Sequence, residues 1–267
     1  MRSGPPRASR VGPARATLWG VLLFLYAPVV VLVLYSFNDA RFSVGWEGFT
    51  LAWYRRLLDS AETGAALRTT LLVSLAATAL ATVLGTLLAL GLHLRRFRGR
   101  GLVDLLLYLP IVAPDIVIGV ALLAFYVAVH FPLGRASIAL AHVSFQIPFV
   151  ALVVRARLQD FPREVLEAAR DLGADETETI RHVLLPIVRP GIVAGALIAL
   201  ALSVDDFVVA YFTAGAGSST LPIRIYSMVK RGVTPDINAL STLLLLATLI
   251  MIVLALRLQR RDPGASR

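Results

Sequence analysis

Three aspartates lie inside long apolar stretches of this 267-residue chain, and they are the residues best suited to act on a charged solute. They are Asp115 and the adjacent pair Asp205 and Asp206. A carboxylate within a membrane segment is costly to bury and is usually functional. No lysine or arginine lies at comparable depth, so the three predict a path for a cation or for protons. The alternative is that each caps a broken helix or pairs with an arginine of another chain. Gln146, midway along another apolar segment, is a further candidate for the path.

The two adjacent aspartates are expected to face different ways. On a regular helix, at 100° per residue, Asp206 lies about 60° from a stripe of small residues and Asp205 about 160° away. Small residues four apart let another helix approach closely. Asp206 is therefore expected near a packed interface and Asp205 on the opposite side. The stripe consists of Gly191, Gly195, Ala199 and Ser203.

Several chemistries are not expected of this chain. It has no cysteine, which excludes disulfides, thiolate metal sites and cysteine nucleophiles. Its four histidines are too scattered to suggest a metal cluster, and no Ser/His/Asp grouping or zinc pattern appears. The phosphate-loop pattern G-x-x-x-x-G-K-[ST] is missing, and the sole lysine, Lys230, lies in a loop. We therefore expect no catalysis, no metal and no cofactor of its own.

A charged segment at 155–190 interrupts the apolar sequence. Pro162 suits the first turn of a helix, and Gly173 can end that helix in the left-handed conformation. The range 175–178 begins with Asp and ends with Glu, which predicts a capping box that opens a second helix. We expect Pro186 to end this second helix. The alternative interpretation is an ordinary long loop.

The elements that must position these residues are membrane spans. The chain is 57% hydrophobic and 16% charged, with a mean hydropathy of +0.76. Soluble domains average about 45–50% apolar residues and about 25% charged residues. A bilayer core of ~30 Å needs roughly 20 helical residues. The sequence thus predicts an all-α membrane protein with six transmembrane helices, at about 17–37, 66–93, 102–129, 136–156, 188–211 and 238–257.

The third predicted span is irregular, because it contains Pro110, Pro114 and Gly119. Proline in a spanning helix removes backbone hydrogen bonds and usually kinks it, and broken helices often line a pathway. We expect one kinked span here. Two short helices are also expected in the loops at 50–59 and 222–231, where they suit the membrane interface.

The distribution of positive charge predicts the topology. With the N-terminus inside, 18 of the 26 lysines and arginines flank the inner ends of the spans. The positive-inside rule therefore favours cytoplasmic tails at 1–16 and 258–267, with the charged loop at 157–187 on the same side of the membrane. Because these charges flank apolar runs, they do not suggest a nucleic-acid surface.

The charged loop also carries a recognisable pattern. It contains Glu-Ala-Ala, three residues, Gly, nine residues, and then Val-Leu-Leu-Pro, which resembles the EAA motif (E-A-A-x3-G-x9-I-x-L-P) of ABC-importer permeases. Only the isoleucine position departs, to valine. The matching residues are Glu167, Ala168, Ala169, Gly173, Leu185 and Pro186.

Further motifs extend the resemblance along most of the chain. They are similar to those of PotC-type permeases of spermidine/putrescine importers, and permeases for other substrates share part of the set. These motifs are YSFND-R at 35–41, GFTLAWY at 48–54, APDIVIG at 113–119, SVDDFVV at 203–209 and the run at 221–242.

The resemblance implies a type I ABC-importer permease fold in a bacterial plasma membrane. Such a permease works with a second permease subunit, two ATPase subunits that bind the ATP, and an extracytoplasmic substrate-binding protein. The EAA residues would form a pair of cytoplasmic coupling helices that dock on an ATPase. The pathway candidates Asp115, Gln146, Asp205 and Asp206 would then serve a polyamine.

Other functions remain open from the sequence. Within the same class, the solute could be iron, thiamine or a phosphonate. A secondary carrier would use the three aspartates as a proton relay, but such carriers often contain inverted repeats, which the sequence does not display. A membrane enzyme is the third alternative, and the chain lacks a catalytic constellation for it.

Overall fold

The structure is a computed structural model, and it describes residues 11–40, 45–95, 97–159, 163–232 and 234–260. Within these residues the chain is helical apart from its loops and one isolated β-bridge between Asn38 and Phe49. Most of the predicted tails 1–16 and 258–267, and Pro162, lie outside the described residues. The helices are α1 (Val11–Tyr35), α2 (Ala52–Asp59), α3 (Ala61–Leu94), α4 (Arg100–Val112), α5 (Asp115–Ala128), α6 (Arg135–Gln159), α7 (Arg163–Asp171), α8 (Glu176–Glu178), α9 (Leu185–Asp205), α10 (Val208–Thr213), α11 (Leu221–Arg231) and α12 (Pro235–Arg260).

The all-α membrane fold is confirmed. In the described part of the chain, five helical stretches are long and apolar enough to cross a bilayer, and a sixth span results if the bent pair α4–α5 counts as one. The five stretches are Arg15–Tyr35, Ala61–Leu94, Arg135–Gln159, Glu176–Asp205 and Pro235–Leu258.

The expected third span is divided into two helices rather than kinked. α4 and α5 meet at 110° across Ala113 and Pro114. Both residues are extended, with ψ angles of 137° and 134°. The ring of a proline disfavours the helical conformation for the residue before it, so the chain leaves the helix at Ala113 and re-enters it at Asp115.

The prediction that Pro186 ends a helix is wrong. From Glu176 the helix continues through a wider π-helical turn (Thr179–Leu184) into α9, and it ends only at Asp205. In the wide turn, the N–H of Leu185 bonds to the carbonyl of Ile180, five residues back. Proline has no N–H to place, and a turn of this width relieves the clash of its ring with the preceding carbonyl. The predicted span at 188–211 therefore begins earlier and ends earlier.

Helices α3, α6 and α9 pack closely around Val150 of α6. A Cβ atom placed on Gly195 of α9 would lie 3.4 Å from the Cα of Val150, and one placed on Gly191 would lie 3.2 Å from the Cβ of Arg157. From the other side, a Cβ on Gly85 of α3 would lie 2.8 Å from the Cβ of Val150. The prediction that the small-residue stripe packs against another helix is confirmed, and that helix is α6.

One end of the bundle carries α2 and α11, and we call it the far end. There Asn38 is fully buried, its Oδ1 accepts from the N–H of Glu47 (2.9 Å), and its carbonyl accepts from the indole N–H of Trp53 (2.8 Å). The two expected loop helices form, as α2 and α11. However, Trp53 and Leu57 of α2 pack into the protein rather than at a membrane interface.

The close approach at Gly85 predicts a stability difference between two glycines of α3. We expect Gly85→Ala to destabilise the protein by about 1–3 kcal/mol, because the added carbon overlaps Val150 and the carbonyl of Ile147. Gly91→Ala is the matched control, since nothing lies within 4 Å of its position and alanine favours a helix. Thermal unfolding of the purified protein in detergent measures both. Equal unfolding temperatures in the two variants would contradict the packing described.

Candidate functional site

The break between α9 and α10 builds the centre of the site. Asp206 leaves the helical conformation (φ −67°, ψ 123°), and its side chain turns to cap α10. One carboxylate oxygen accepts from the N–H of Val209 (3.3 Å) and the other from the N–H of Ala210 (2.7 Å). These donors are the ones that the start of a helix leaves without partners. Asp206 therefore fits the alternative interpretation of the sequence, in which an aspartate caps a broken helix.

A cavity of about 460 Å³ lies beside this break and brings together the three aspartates named from the sequence. Asp115 reaches it from the first turn of α5 and Asp205 from the last turn of α9, and both are exposed. Asp206 is one-tenth exposed and already holds internal donors. The full lining is Pro110, Ile111, Asp115, Phe145, Phe149, Ile198, Ala201, Leu202, Asp205, Asp206, Phe207, Val208, Val209, Thr248 and Ile252.

The cavity has the chemistry of a cation site. Three of its lining residues are aspartates, three are phenylalanines, and none is lysine or arginine. Carboxylates attract an ammonium group, and aromatic faces attract it through the ring quadrupole. Because Asp206 is engaged in capping, Asp115 and Asp205 are the two carboxylates free to meet a solute.

Sequence reasoning missed the partner of Asp206. The Nε2 of His142 on α6 lies 3.2 Å from Oδ2 of Asp206, within ion-pair distance although the ring N–H is not aligned for a hydrogen bond. The Nδ1 of His142 is 2.6 Å from the hydroxyl of Ser203. The sequence suggested no Ser/His/Asp grouping, yet the fold assembles one. Only the intramembrane histidine, four residues before Gln146, was a signal for it.

This grouping is not arranged for nucleophilic catalysis. Ser203 is 3% exposed, so a solute in the cavity does not reach its hydroxyl. The ring is also reversed relative to a catalytic triad, in which Nε2 faces the serine and Nδ1 the aspartate. The three residues form a buried contact between α6 and the α9–α10 break.

Gln146 occupies a different position from the three aspartates. It is fully buried on α6 and is not among the residues that line the cavity. Neither end of its amide has a hydrogen-bond partner in the part of the chain that the structure describes. Gln146 therefore lies outside the cavity lining, one helical turn from His142.

An aromatic cluster extends from the cavity to α11. Phe207 lies 4.7 Å from the ring of Tyr226 and 5.4 Å from that of Tyr211, measured between centroids. The ammonium of Lys230 sits 4.7 Å above the ring of Tyr226. Hydrogen bonding with Tyr226 raises the pKa of Lys230 above its ordinary value, so this side chain stays protonated.

The EAA-like residues form a separate site at the other end of the bundle, which we call the motif end. α7 ends at Asp171, and Gly173, two residues later, has the left-handed φ of 86°. The N–H of Ala174 bonds to the carbonyl of Ala169 (3.0 Å), as expected for a helix closed by a left-handed glycine. The predicted capping box is confirmed, since Asp175 accepts from the N–H of Glu178 and Glu178 accepts from the N–H of Asp175.

The motif end has an inner and an outer face. Leu166 and Ile180 pack against the buried cluster around Leu158 and Leu184, as does Leu185. The outer face exposes Glu167, Ala168 and Pro186, and Leu172 is 90% exposed. The described part of the chain therefore leaves this face uncovered, with Leu172 as its most exposed large apolar residue.

An ion pair connects the start of α8 to the residue that follows α3. Arg95, just after α3, donates to both carboxylate oxygens of Glu176 at 2.9 and 2.8 Å. At the same end, Arg155 of α6 donates to Asp104 of α4 at 2.6 Å. The packing of the inner face and the Arg95–Glu176 pair connect the helix–turn–helix to the bundle, and the Arg155–Asp104 pair connects α6 to α4 at the same end.

A helical membrane bundle with a cavity that contains three aspartates and with an exposed helix–turn–helix at one end has the architecture expected of a solute permease. The sequence profile described as "Binding-protein-dependent transport system inner membrane component" matches residues 81–261, so the chain belongs to this family of multi-pass membrane permeases.

Two relatives and one solved structure show the extent of the similarity. The spermidine/putrescine transport system permease protein PotC of Haemophilus influenzae is 39% identical over 254 residues, which cover 95% of this chain and 99% of the relative. The putrescine transport system permease protein PotI of Escherichia coli is 39% identical, with coverage of 83% and 82%. A bacterial alginate ABC transporter, solved in complex with an alginate pentasaccharide-bound periplasmic protein, has a chain with a TM-score of 0.71, 18% identity and coverage of 94% and 93%.

The capping geometry predicts different costs for the two adjacent aspartates. We expect Asp206→Ala to lower the free energy of unfolding by about 1 kcal/mol or more, because it removes the cap of α10. Asp205→Ala, at an exposed position, should change it by less than about 0.5 kcal/mol. Asp206→Asn should fall between them, since its one carbonyl oxygen can still accept. Thermal unfolding in detergent measures the series, and a larger loss for Asp205→Ala would overturn the assignment.

Proposed function

We propose that the chain is a permease subunit of an ATP-driven importer and forms half of the path for a polyamine such as spermidine or putrescine. The observation that carries the proposal is the cavity lined by Asp115, Asp205 and three phenylalanines without a lysine or arginine. The PotC and PotI relatives, named for spermidine and putrescine, support the same substrate class.

The chemistry of a polyamine fits this lining. Its ammonium groups are separated by short methylene chains, so it needs separate carboxylates with apolar surface between them. Asp115 and Asp205 approach from different helices, and Phe145, Phe149 and Phe207 supply apolar and cation–π contacts. Asp206 would add negative charge to the same cavity while its oxygens accept from the N–H groups of α10. Gln146, also predicted for the pathway, would act from outside the cavity lining.

One of the rival solutes fits the cavity less well than a polyamine does. A phosphonate is an anion and would face three carboxylates with no compensating cation in the lining. Iron and thiamine are compatible with negative charge, so uptake competition must distinguish them from polyamines. A proton-coupled carrier could use the same aspartates, but it would not need the exposed helix–turn–helix of the motif end.

We assign that helix–turn–helix, within the loop 157–187, to coupling with a partner ATPase. Glu167, Ala168 and Ala169 would enter a groove on the ATPase, and Gly173 would hold the turn. Leu185 and Pro186 would join this turn to α9. ATP would be bound and hydrolysed on the partner, and this chain would have no catalytic role.

The remaining partners and the orientation follow from the same assignment. The chain would pair with a second permease subunit and receive its solute from an extracytoplasmic binding protein. The motif end and both termini would lie in the cytoplasm, as the charge distribution favours. The similar alginate transporter was solved in complex with a periplasmic protein, which is consistent with a binding protein as a partner.

Neutralising the free carboxylates tests the polyamine path. We expect Asp205→Asn or Asp115→Asn to raise the KM of spermidine uptake about tenfold, because each removes one charge-assisted contact. Glu47→Gln, an exposed carboxylate outside the cavity, is the control and should leave KM unchanged. The assay is uptake of labelled spermidine by the assembled transporter, with thiamine and ferric ion as competitors. Unchanged kinetics in both aspartate variants would remove them from the path.

The left-handed turn tests the coupling assignment. A β-branched residue is strained at φ 86°, whereas asparagine tolerates this conformation. We therefore expect Gly173→Val to abolish uptake while ATP hydrolysis by the partner continues, and Gly173→Asn to retain most uptake. Membrane insertion should be normal in both. Uptake that persists when the ATPase is disabled and stops when the proton gradient is collapsed would instead indicate a carrier.

A further inference from the structure

A single buried histidine contacts two residues that lie on either side of Asp205, one in α9 and one just after it. His142 is 1% exposed, and its two ring nitrogens are its polar side-chain atoms. One nitrogen approaches Ser203, inside the last turn of α9, and the other approaches Asp206, just beyond its end. The same imidazole therefore holds the chain before and after the helix break.

This bridge constrains the direction of the residue between its two contacts. Ser203 and Asp206 are both directed at α6, so Asp205 cannot turn toward α6 without breaking one of the two contacts. Accordingly, Asp205 is exposed to the cavity while its neighbours on either side are largely buried. The orientation of the free carboxylate depends on a residue that does not itself line the cavity.

The bridge also fixes the cavity wall that follows the break. Asp206 caps α10 through the N–H groups of Val209 and Ala210, so holding Asp206 holds the start of α10. Phe207 and Val208 lie in this corner and line the cavity. On the other side, α10 packs tightly on α5, because a Cβ on Gly119 would lie 2.8 Å from the ring of Phe212.

From these contacts we propose that His142 is a positioning residue for solute recognition. It holds the corner between α9 and α10 through Ser203 and Asp206, and it thereby directs Asp205 into the cavity. Loss of these contacts is expected to lower the affinity for the solute, because the Asp205 carboxylate would then adopt several orientations. The inference rests on the proposed cation-transport function, but the geometry it describes can be tested without transport.

Three substitutions of His142 distinguish the contact made through Nδ1 from the contact made through Nε2. Glutamine can place an amide near the position of Nε2, asparagine can place one near Nδ1, and phenylalanine keeps the ring while removing both. Because Asp206 is the residue that caps α10, we expect His142→Phe and His142→Asn, which lose the contact to it, to raise the KM for spermidine about tenfold, with Vmax changed less than twofold. His142→Gln should keep KM within about threefold of wild type.

Tyr126→Phe is the matched control for the loss of a buried tether. Its hydroxyl donates to the carbonyl of Ser137 (3.0 Å) at a buried α5–α6 contact, and a phenylalanine ring keeps the packing of Tyr126 against Val209. This variant should lower thermal stability without raising KM. An equal rise in KM in Tyr126→Phe, or no rise in His142→Phe and His142→Asn, would overturn the positioning role.

A transport-independent measurement keeps this outcome distinct from failure of the proposed function. The chain has no cysteine, so Val208→Cys gives one thiol in the cavity wall, which a water-soluble maleimide labels at a measurable rate. We expect His142→Phe to change that rate at least threefold and His142→Gln to restore it. An unchanged rate would reject the inference even if spermidine is transported. A changed rate without spermidine transport by the wild type would support the positioning geometry and reject the substrate.

Discussion

Every backbone donor and acceptor within the hydrocarbon core must find its partner inside the protein, and each unpaired group costs several kcal/mol. Helix breaks at that depth are therefore possible only where side chains or neighbouring segments replace the lost bonds. This chain breaks twice beside its cavity, between α4 and α5 and between α9 and α10. At the second break the replacement is Asp206, which accepts from two N–H groups of α10.

The same constraint explains why a carboxylate pair is useful at this position. One aspartate satisfies the broken backbone, which leaves its neighbour free for a solute. A single carboxylate that closed the break would not be available for the proposed cation path. The recognition role proposed for Asp205 is therefore separate from the capping role of Asp206, and His142 links Asp206 to the neighbouring helix.

The structural features that depend on residues close together in the sequence could be predicted from it. The capping box at Asp175 and the left-handed Gly173 involve contacts over five residues or fewer, and the stripe from Gly191 to Ser203 follows from helical period. The direction of the chain after Ala113 was not predictable, because a proline indicates a break without its angle. The helix through Pro186 depends on a widened turn that no residue type specifies. The contact of His142 with Ser203 spans 61 positions and exists only after α6 and α9 have packed.

The uninterrupted helix from Glu176 to Asp205 gives the molecule a mechanical property. Its thirty residues span about 45 Å and connect the capping box at the motif end to the free carboxylate of the cavity. Gly191 and Gly195 pack this helix against α6 near its middle, about 25 Å from the motif end and about 18 Å from Asp205. Ser203 meets His142 of α6 close to Asp205, so α6 also holds the other end of the helix. A sideways displacement at the motif end would therefore have to carry α6 along, and it would move His142 and Asp205 together as one body.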